Sequence, residues 1–192
     1  MVRSQSPRIP GLQARPAMTR PQFQPEQAKA IAGAFETEQV DYLFIGKGAA
    51  ILLGFPGMTQ DVDIFPARTI ENGRRIVCAL KRLGFEFSTE LENAVVTGKD
   101  FVQIKSGPFD VDLVFAPDGI ADYAEAKARS MNVDRFHIAN LRDIIASKRA
   151  SGREKDLLDL PLLERFRQEY ERLKPAPLRS AADIAAKRTQ EP

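Results

Sequence analysis

Asp61 and Asp63 flank one valine in Asp61-Val62-Asp63-Ile64-Phe65, and Asp110 and Asp112 flank another in Asp110-Val111-Asp112-Leu113-Val114-Phe115. Alternate side chains of a strand share a face, so each pair presents two carboxylates on one side, about 7 Å apart, while its apolar residues enter a core. Carboxylates set in an apolar strand are costly unless a cation sits beside them. If the two strands are neighbours, one acid of the second pair completes a three-carboxylate cluster whose repulsion calls for a counter-ion, and magnesium is its natural occupant. Asp112 is the better third ligand. Asp110 fits a loop cap or an ion pair with Lys105 or Arg129 better than it fits catalysis.

A glycine turn, Ile45-Gly46-Lys47-Gly48-Ala49, lies a short apolar run upstream of the first pair. The pattern Gly-x-x-x-x-Gly-Lys-Ser/Thr is absent, so the Gly-Lys pair is not a P-loop. The other reactive types are sparse. One cysteine, Cys78, and one histidine, His137, exclude a disulfide framework, thiolate-rich zinc sites and a Ser-His-Asp arrangement. Both read as structural.

The elements that must position these residues follow from periodicity and turn chemistry. Pro25 opens a helix to about residue 38, with Ala28, Ile31, Ala32 and Phe35 on its apolar face. Residues 41–45 form a buried strand ending at Gly46, residues 49–53 a short helix and residues 61–65 the first acidic strand. A helix runs from residue 69 or 70 to about 83, stopped by Gly84. Residues 85–88, 94–97, 101–105 and 109–115 read as strands separated by hairpin-type breaks at 98–100 and 106–108. Helical periodicity returns at 121–128, a short strand surrounds 136–138, and Asn140 caps a helix over 141–150. A further helix spans 153–160, and Pro161 restarts another that ends before Pro175.

The chain has 192 residues, of which 43% are hydrophobic, enough for one α/β (α+β) domain with a mixed sheet. Residues 1–24 read as a flexible leader, 25–139 as the core, 140–174 as helices packed on it and 175–192 as a loose tail. The leader carries four arginines and no acid, and residues 140–192 carry twelve basic against nine acidic residues, which leaves the centre at about −5. That distribution is not a nucleic-acid stripe. No apolar run approaches the ~20 residues that cross a bilayer, and a cytoplasmic protein is the simplest reading.

Residues 42–65 resemble the signature of the nucleotidyltransferase superfamily of the DNA polymerase beta type, in particular its small bacterial AbiEii-like and minimal nucleotidyltransferase branch: an apolar strand, a glycine turn, a short helix, Asp-x-Asp, and a later acidic strand. Gly46, Asp61, Asp63 and Asp112 stand at the corresponding places. Residues 141–148 and 152–160 are similar to the helical segments that close the site in that branch, so the likeness covers residues 25 to about 170. It implies two magnesium ions held by Asp61, Asp63 and Asp112, and transfer of a nucleoside monophosphate from a nucleoside triphosphate to a hydroxyl of RNA such as tRNA, of protein or of a small molecule. Asp112 would help deprotonate that hydroxyl. Toxin members of the branch bring in an antitoxin as partner.

Gly46, Lys47 and Gly48 then form the triphosphate turn, and Lys148 and Arg153 contact phosphate or acceptor, with Asp156 holding one of them; the alternative for these three is a helix-surface network. Lys47 departs from the family, which has Gly or Ser there, and either supplies charge to phosphate or obstructs it. Two other readings compete. One is a nucleotide- or partner-binding module on the same fold, and the other takes Asp-Val-Asp as a glycosyltransferase metal motif.

Overall fold

The computed structural model describes residues 23–173. The first helix, α1 (Pro25–Thr37), begins on a reciprocal cap between Gln24 and Gln27 and buries Ala28, Ile31, Ala32 and Phe35, the stripe expected at helical spacing. Most of the expected leader and all of the expected tail lie outside the described residues. The leader's last residues, however, belong to the fold: Phe23 is buried, and its N–H donates to Thr59 O at 2.8 Å.

Six strands form one mixed sheet. They are β1 (Tyr42–Phe44), β2 (Val62–Pro66), β3 (Phe101–Ile104), β4 (Val111–Val114), β5 (Met131–Val133) and β6 (Phe136–Ile138), in the order β3-β4-β2-β1-β6-β5. β2 runs antiparallel to β1 and parallel to β4. Helices α2 (Gly46–Leu52), α3 (Ile70–Arg82), α4 (Thr89–Val96), α5 (Tyr123–Ala128), α6 (Leu141–Ser151) and α7 (Glu154–Leu173) complete the described chain. The architecture is therefore mixed α/β, as composition and periodicity predict.

Several expectations drawn from local pattern fail. Residues 85–88 and 94–97 are not strands; the first is irregular and the second lies at the end of α4. Ser88 caps that helix by accepting from Leu91 N–H, and Glu90 and Glu92 lie in its first turn, a start signal that outweighs the β-branched Val95-Val96. Gly98, at φ +68°, consequently closes a helix rather than turning a hairpin. α3 and α4 meet closely at Gly73, where a Cβ would stand 2.7 Å from Val96 Cα.

Pro161 does not restart a helix. It sits inside α7, although an interior proline costs about 3 kcal/mol. Packing on both sides of it offsets that cost: Leu163 is fully buried, Leu160, Phe166 and Tyr170 pack on the core, and the Phe166 ring meets Phe55 edge to face at 5.5 Å. The hairpin partner of β6 is β5, unrecognised in the sequence because its turn rests on Asp134 in a left-handed conformation, φ 53°, with no glycine to signal it. Among the described residues no helix is long and apolar enough to cross a membrane.

Candidate functional site

Parallel pairing of β2 with β4 sets Asp63 directly opposite Asp112, with Val62 opposite Val111 and Ile64 opposite Leu113. The valines, Ile64 and Leu113 are buried. Neighbouring strands lie about 4.8 Å apart, so the two carboxylates stand side by side on the opposite face. Asp61, two residues before Asp63, has one carboxylate oxygen, Oδ1, buried with no hydrogen-bond partner among the described residues. Asp112 is 8% exposed and accepts from Gln103 Nε2 at 3.1 Å, across the β3–β4 pair.

The glycine turn is fitted to this wall. Gly46 has φ +69°, and a Cβ placed on it would fall 2.1 Å from Asp63 Oδ2. Only glycine both tolerates that backbone and leaves room for the carboxylate. Gly48 has no such duty: a Cβ there would meet Asp61 O at 3.6 Å, an ordinary contact, and the residue is buried within α2 away from the cleft.

Burial, reinforced by the charges of Asp112 and Asp61, pushes the Asp63 carboxyl up to about 7, against a smaller opposing pull from Lys148 and Lys155. Asp112 is raised by burial as well, with the Gln103 hydrogen bond opposing and the charges of Asp61 and Asp110 adding to the rise. This wall is an acidic face that the protein's own groups do not neutralise.

The facing wall comes from α6, α7 and the start of α2. Lys148 is 8% exposed and Asp156 only 2%. Lys148 Nζ donates to Asp156 Oδ1 at 2.5 Å, Arg153 Nε to Asp156 Oδ2 at 2.6 Å, and Ser151 Oγ to the same oxygen at 2.9 Å. Although burial opposes it, these donors hold the Asp156 carboxyl down at about 2. Lys47 Nζ lies 2.7 Å from Asp159 Oδ2, which Lys148 also approaches at 3.4 Å. Asp156 thus holds both Lys148, which is buried, and Arg153, whose side chain is largely exposed.

The two walls enclose a cleft of about 420 Å³, lined by Gly46, Lys47, Asp61, Asp63, Asp112, Lys148, Arg153 and Asp156 among others. Of the ligand and phosphate-contact residues that the resemblance implies, only Gly48 is absent from it. Asp110 sits at the strand entrance, its carbonyl taking Val62 N–H at 3.4 Å. Arg129, a candidate partner for the strand acids, pairs instead with Asp143 at 2.8 Å. His137 bonds Asn132 at 2.7 Å, and neither His137 nor the exposed Cys78 lines the cleft.

Asp159 and Lys155 line the cleft without having been singled out. Asp159 was within reach of sequence reasoning, because it follows Asp156 by three residues and so shares its helix face. Lys155 makes no ion pair among the described residues, yet it lies close enough to lower the Asp63 carboxyl. Nothing local in the sequence separates it from other exposed lysines.

Among the described residues, no group of three or more Asp, Glu, His or Cys side chains is arranged to hold a metal ion. The donor chemistry nevertheless suits a hard cation: oxygen ligands only, one of them a buried carboxylate oxygen with no hydrogen-bond partner among those residues. No family model, curated protein or solved structure matches the chain.

Proposed function

We propose that the chain is a magnesium-dependent nucleotidyltransferase of the polymerase beta type, moving a nucleoside monophosphate from a nucleoside triphosphate to an acceptor hydroxyl. The observation that carries this reading is the pairing of Asp63 with Asp112 in adjacent parallel strands, beside Asp61 and opposite a basic wall. Asp61, Asp63 and Asp112 would hold the cations. Bound there, magnesium would offset charge on the phosphoryl oxygens and favour ionisation of the attacking hydroxyl.

The chain's own groups supply the rest. Arg153 and Lys155 reach into the cleft and meet the phosphates. Asp112, whose carboxyl is raised by burial and oriented by the hydrogen bond from Gln103, takes the proton from the acceptor hydroxyl. The acceptor oxygen then bonds to the α-phosphorus, and the bond from that phosphorus to the β-phosphate bridge breaks, releasing pyrophosphate. Asp156 acts through others, holding Lys148 and Arg153 in place. Gly46 keeps the space that Asp63 occupies.

The test is transfer of label from α-labelled triphosphates to RNA, protein or small-molecule pools in magnesium. Transfer is expected from the wild type and is lost in the Asp61→Ala/Asp63→Ala double variant. A folded chain that transfers to no pool overturns the reading. The Lys47–Asp159 ion pair favours a second reading, in which the family's phosphate turn is closed by a salt bridge and the cleft binds a nucleotide without chemistry. Nucleotide binding that calorimetry finds independent of magnesium would select that second reading.

A further inference from the structure

We infer that Phe101 is the stacking platform for a nucleobase in this cleft, a proposal that rests on the nucleotidyltransferase reading above. Phe101 opens β3, whose residues alternate exposed and buried, so Phe101 and Gln103 share the face that carries Asp112. Gln103 hydrogen-bonds Asp112, and Phe101 pairs across from Val114 one step further along. The ring lines the cleft and is 50% exposed. Phe101 stacks on no other aromatic ring among the described residues and so offers a flat apolar surface to the cleft, and aromatic rings receive bases of any sequence by stacking.

The charges of the cleft orient the ligand. The chain leaving β4 returns to this end of β3, where Ala116 N–H donates to Asp100 O at 3.3 Å, and Asp100, Pro117 and Asp118 line the same cleft as Phe101. Asp100 is paired with Arg68, whereas Asp118 is exposed and makes no hydrogen bond or ion pair among the described residues. Phosphate is repelled from this end. A planar ring bearing N–H donors is accommodated there, by the phenyl face and a carboxylate acceptor. Arg153 and Lys155 lie on the helical wall, so a nucleotide fits with its phosphates on that wall and the acids of β2 and β4, and its base on β3. The base belongs either to the donor triphosphate or to a nucleotide acceptor, and the two sources separate experimentally.

The chain contains no tryptophan, so Phe101→Trp introduces a single indole reporter at the platform. Its emission is titrated in magnesium with ATP, with a short single-stranded oligonucleotide and with tripolyphosphate, while calorimetry measures the same ligands on the wild type and Phe101→Ala. Saturable quenching by ATP assigns the donor base to Phe101, and quenching by the oligonucleotide alone assigns the acceptor base. Phe101→Ala is expected to weaken that ligand roughly 5- to 100-fold and to leave tripolyphosphate unchanged. Wild-type binding of ATP or oligonucleotide, with no quenching and no loss in Phe101→Ala, overturns the platform and leaves the nucleotidyltransferase reading standing. An equal loss for tripolyphosphate also overturns it. If the wild type binds none of the three ligands, both readings fall.

Discussion

Asp63 and Asp156 are aspartates on opposite walls of one cleft, and the fold treats them in opposite ways. Asp156 is surrounded by Lys148, Ser151 and Arg153 and is held down at about 2. Asp63 faces Asp112 and Asp61 and is pushed up to about 7. Both walls are built from charged residues, but only on the helical wall are the acids neutralised from within. A buried acid with its donors in place contributes to the scaffold, whereas acids gathered without donors cost stability and are tolerated where a ligand completes them. The sheet wall is where chemistry is expected, and the helical wall positions what approaches it.

Breaking each wall should therefore give different signatures. Asp63→Ala is expected to take nucleotidyl transfer to background while leaving the thermal midpoint of the metal-free protein equal to the wild type or higher, because it relieves repulsion. Asp156→Ala should lower stability by about 3 kcal/mol, since it leaves the buried Lys148 with only its longer contact to Asp159 at 3.4 Å, a loss that urea unfolding would register. Equal destabilisation by the two substitutions would refute the contrast. Gly46→Ala should fold, with a cost of about 1–2 kcal/mol for its left-handed backbone, but lose magnesium-dependent activity because its methyl occupies the Asp63 carboxylate position; isothermal titration with magnesium would reveal the weakened site.

The two aspartates also titrate with opposite sign. Asp63 is raised in the folded state above its ordinary value of 3.8, so its contribution to metal-free stability is greatest below about pH 4 and is lost as pH rises toward 7, with a slope of at most about 1.4 kcal/mol per pH unit. Asp156 is lowered, so its stabilisation is present above about pH 4 and lost as pH falls through 2. Unfolding measured from pH 4 to pH 8 should show the first slope in the wild type, and Asp63→Asn should flatten it. An unchanged slope in that variant would mean that Asp63 is not the titrating group.

Lys47→Gly offers the smallest effect and the finest discrimination. The Lys47–Asp159 pair is about one quarter exposed on each side, so its loss should cost no more than about 1 kcal/mol. On the nucleotidyltransferase reading, freeing the Asp159 charge weakens triphosphate binding severalfold. Tighter binding in Lys47→Gly would identify the salt bridge as an obstruction.

Much of this was legible before any coordinates. The Asp-x-Asp strands, the Gly46 turn and the apolar stripe of α1 are local patterns, and period and spacing suffice to read them. The capping serine of α4 is local too, although residues 94–97 read as a strand. Asp159 was available from helical spacing alone. Phe101 and Lys155 were not, because an exposed phenylalanine and an exposed lysine carry no local mark of what they face.

The sequence by itself settled which side chains share a face, since alternation in a strand and the turn of a helix are properties of the backbone. It also confined the candidate acids to Asp61, Asp63, Asp110 and Asp112. Only the tertiary structure put Asp63 beside Asp112 rather than Asp110, because strand register depends on long-range pairing that buries Val62, Ile64, Val111 and Leu113 together. Tertiary packing also carried α7 unbroken through Pro161 and set the first turns of that helix against α6 and α2, with Asp156 at Lys148 and Asp159 at Lys47. Contacts between residues far apart in the chain, such as Asp63 with Asp112 or Lys47 with Asp159, are energies of the folded state, and no local pattern encodes them.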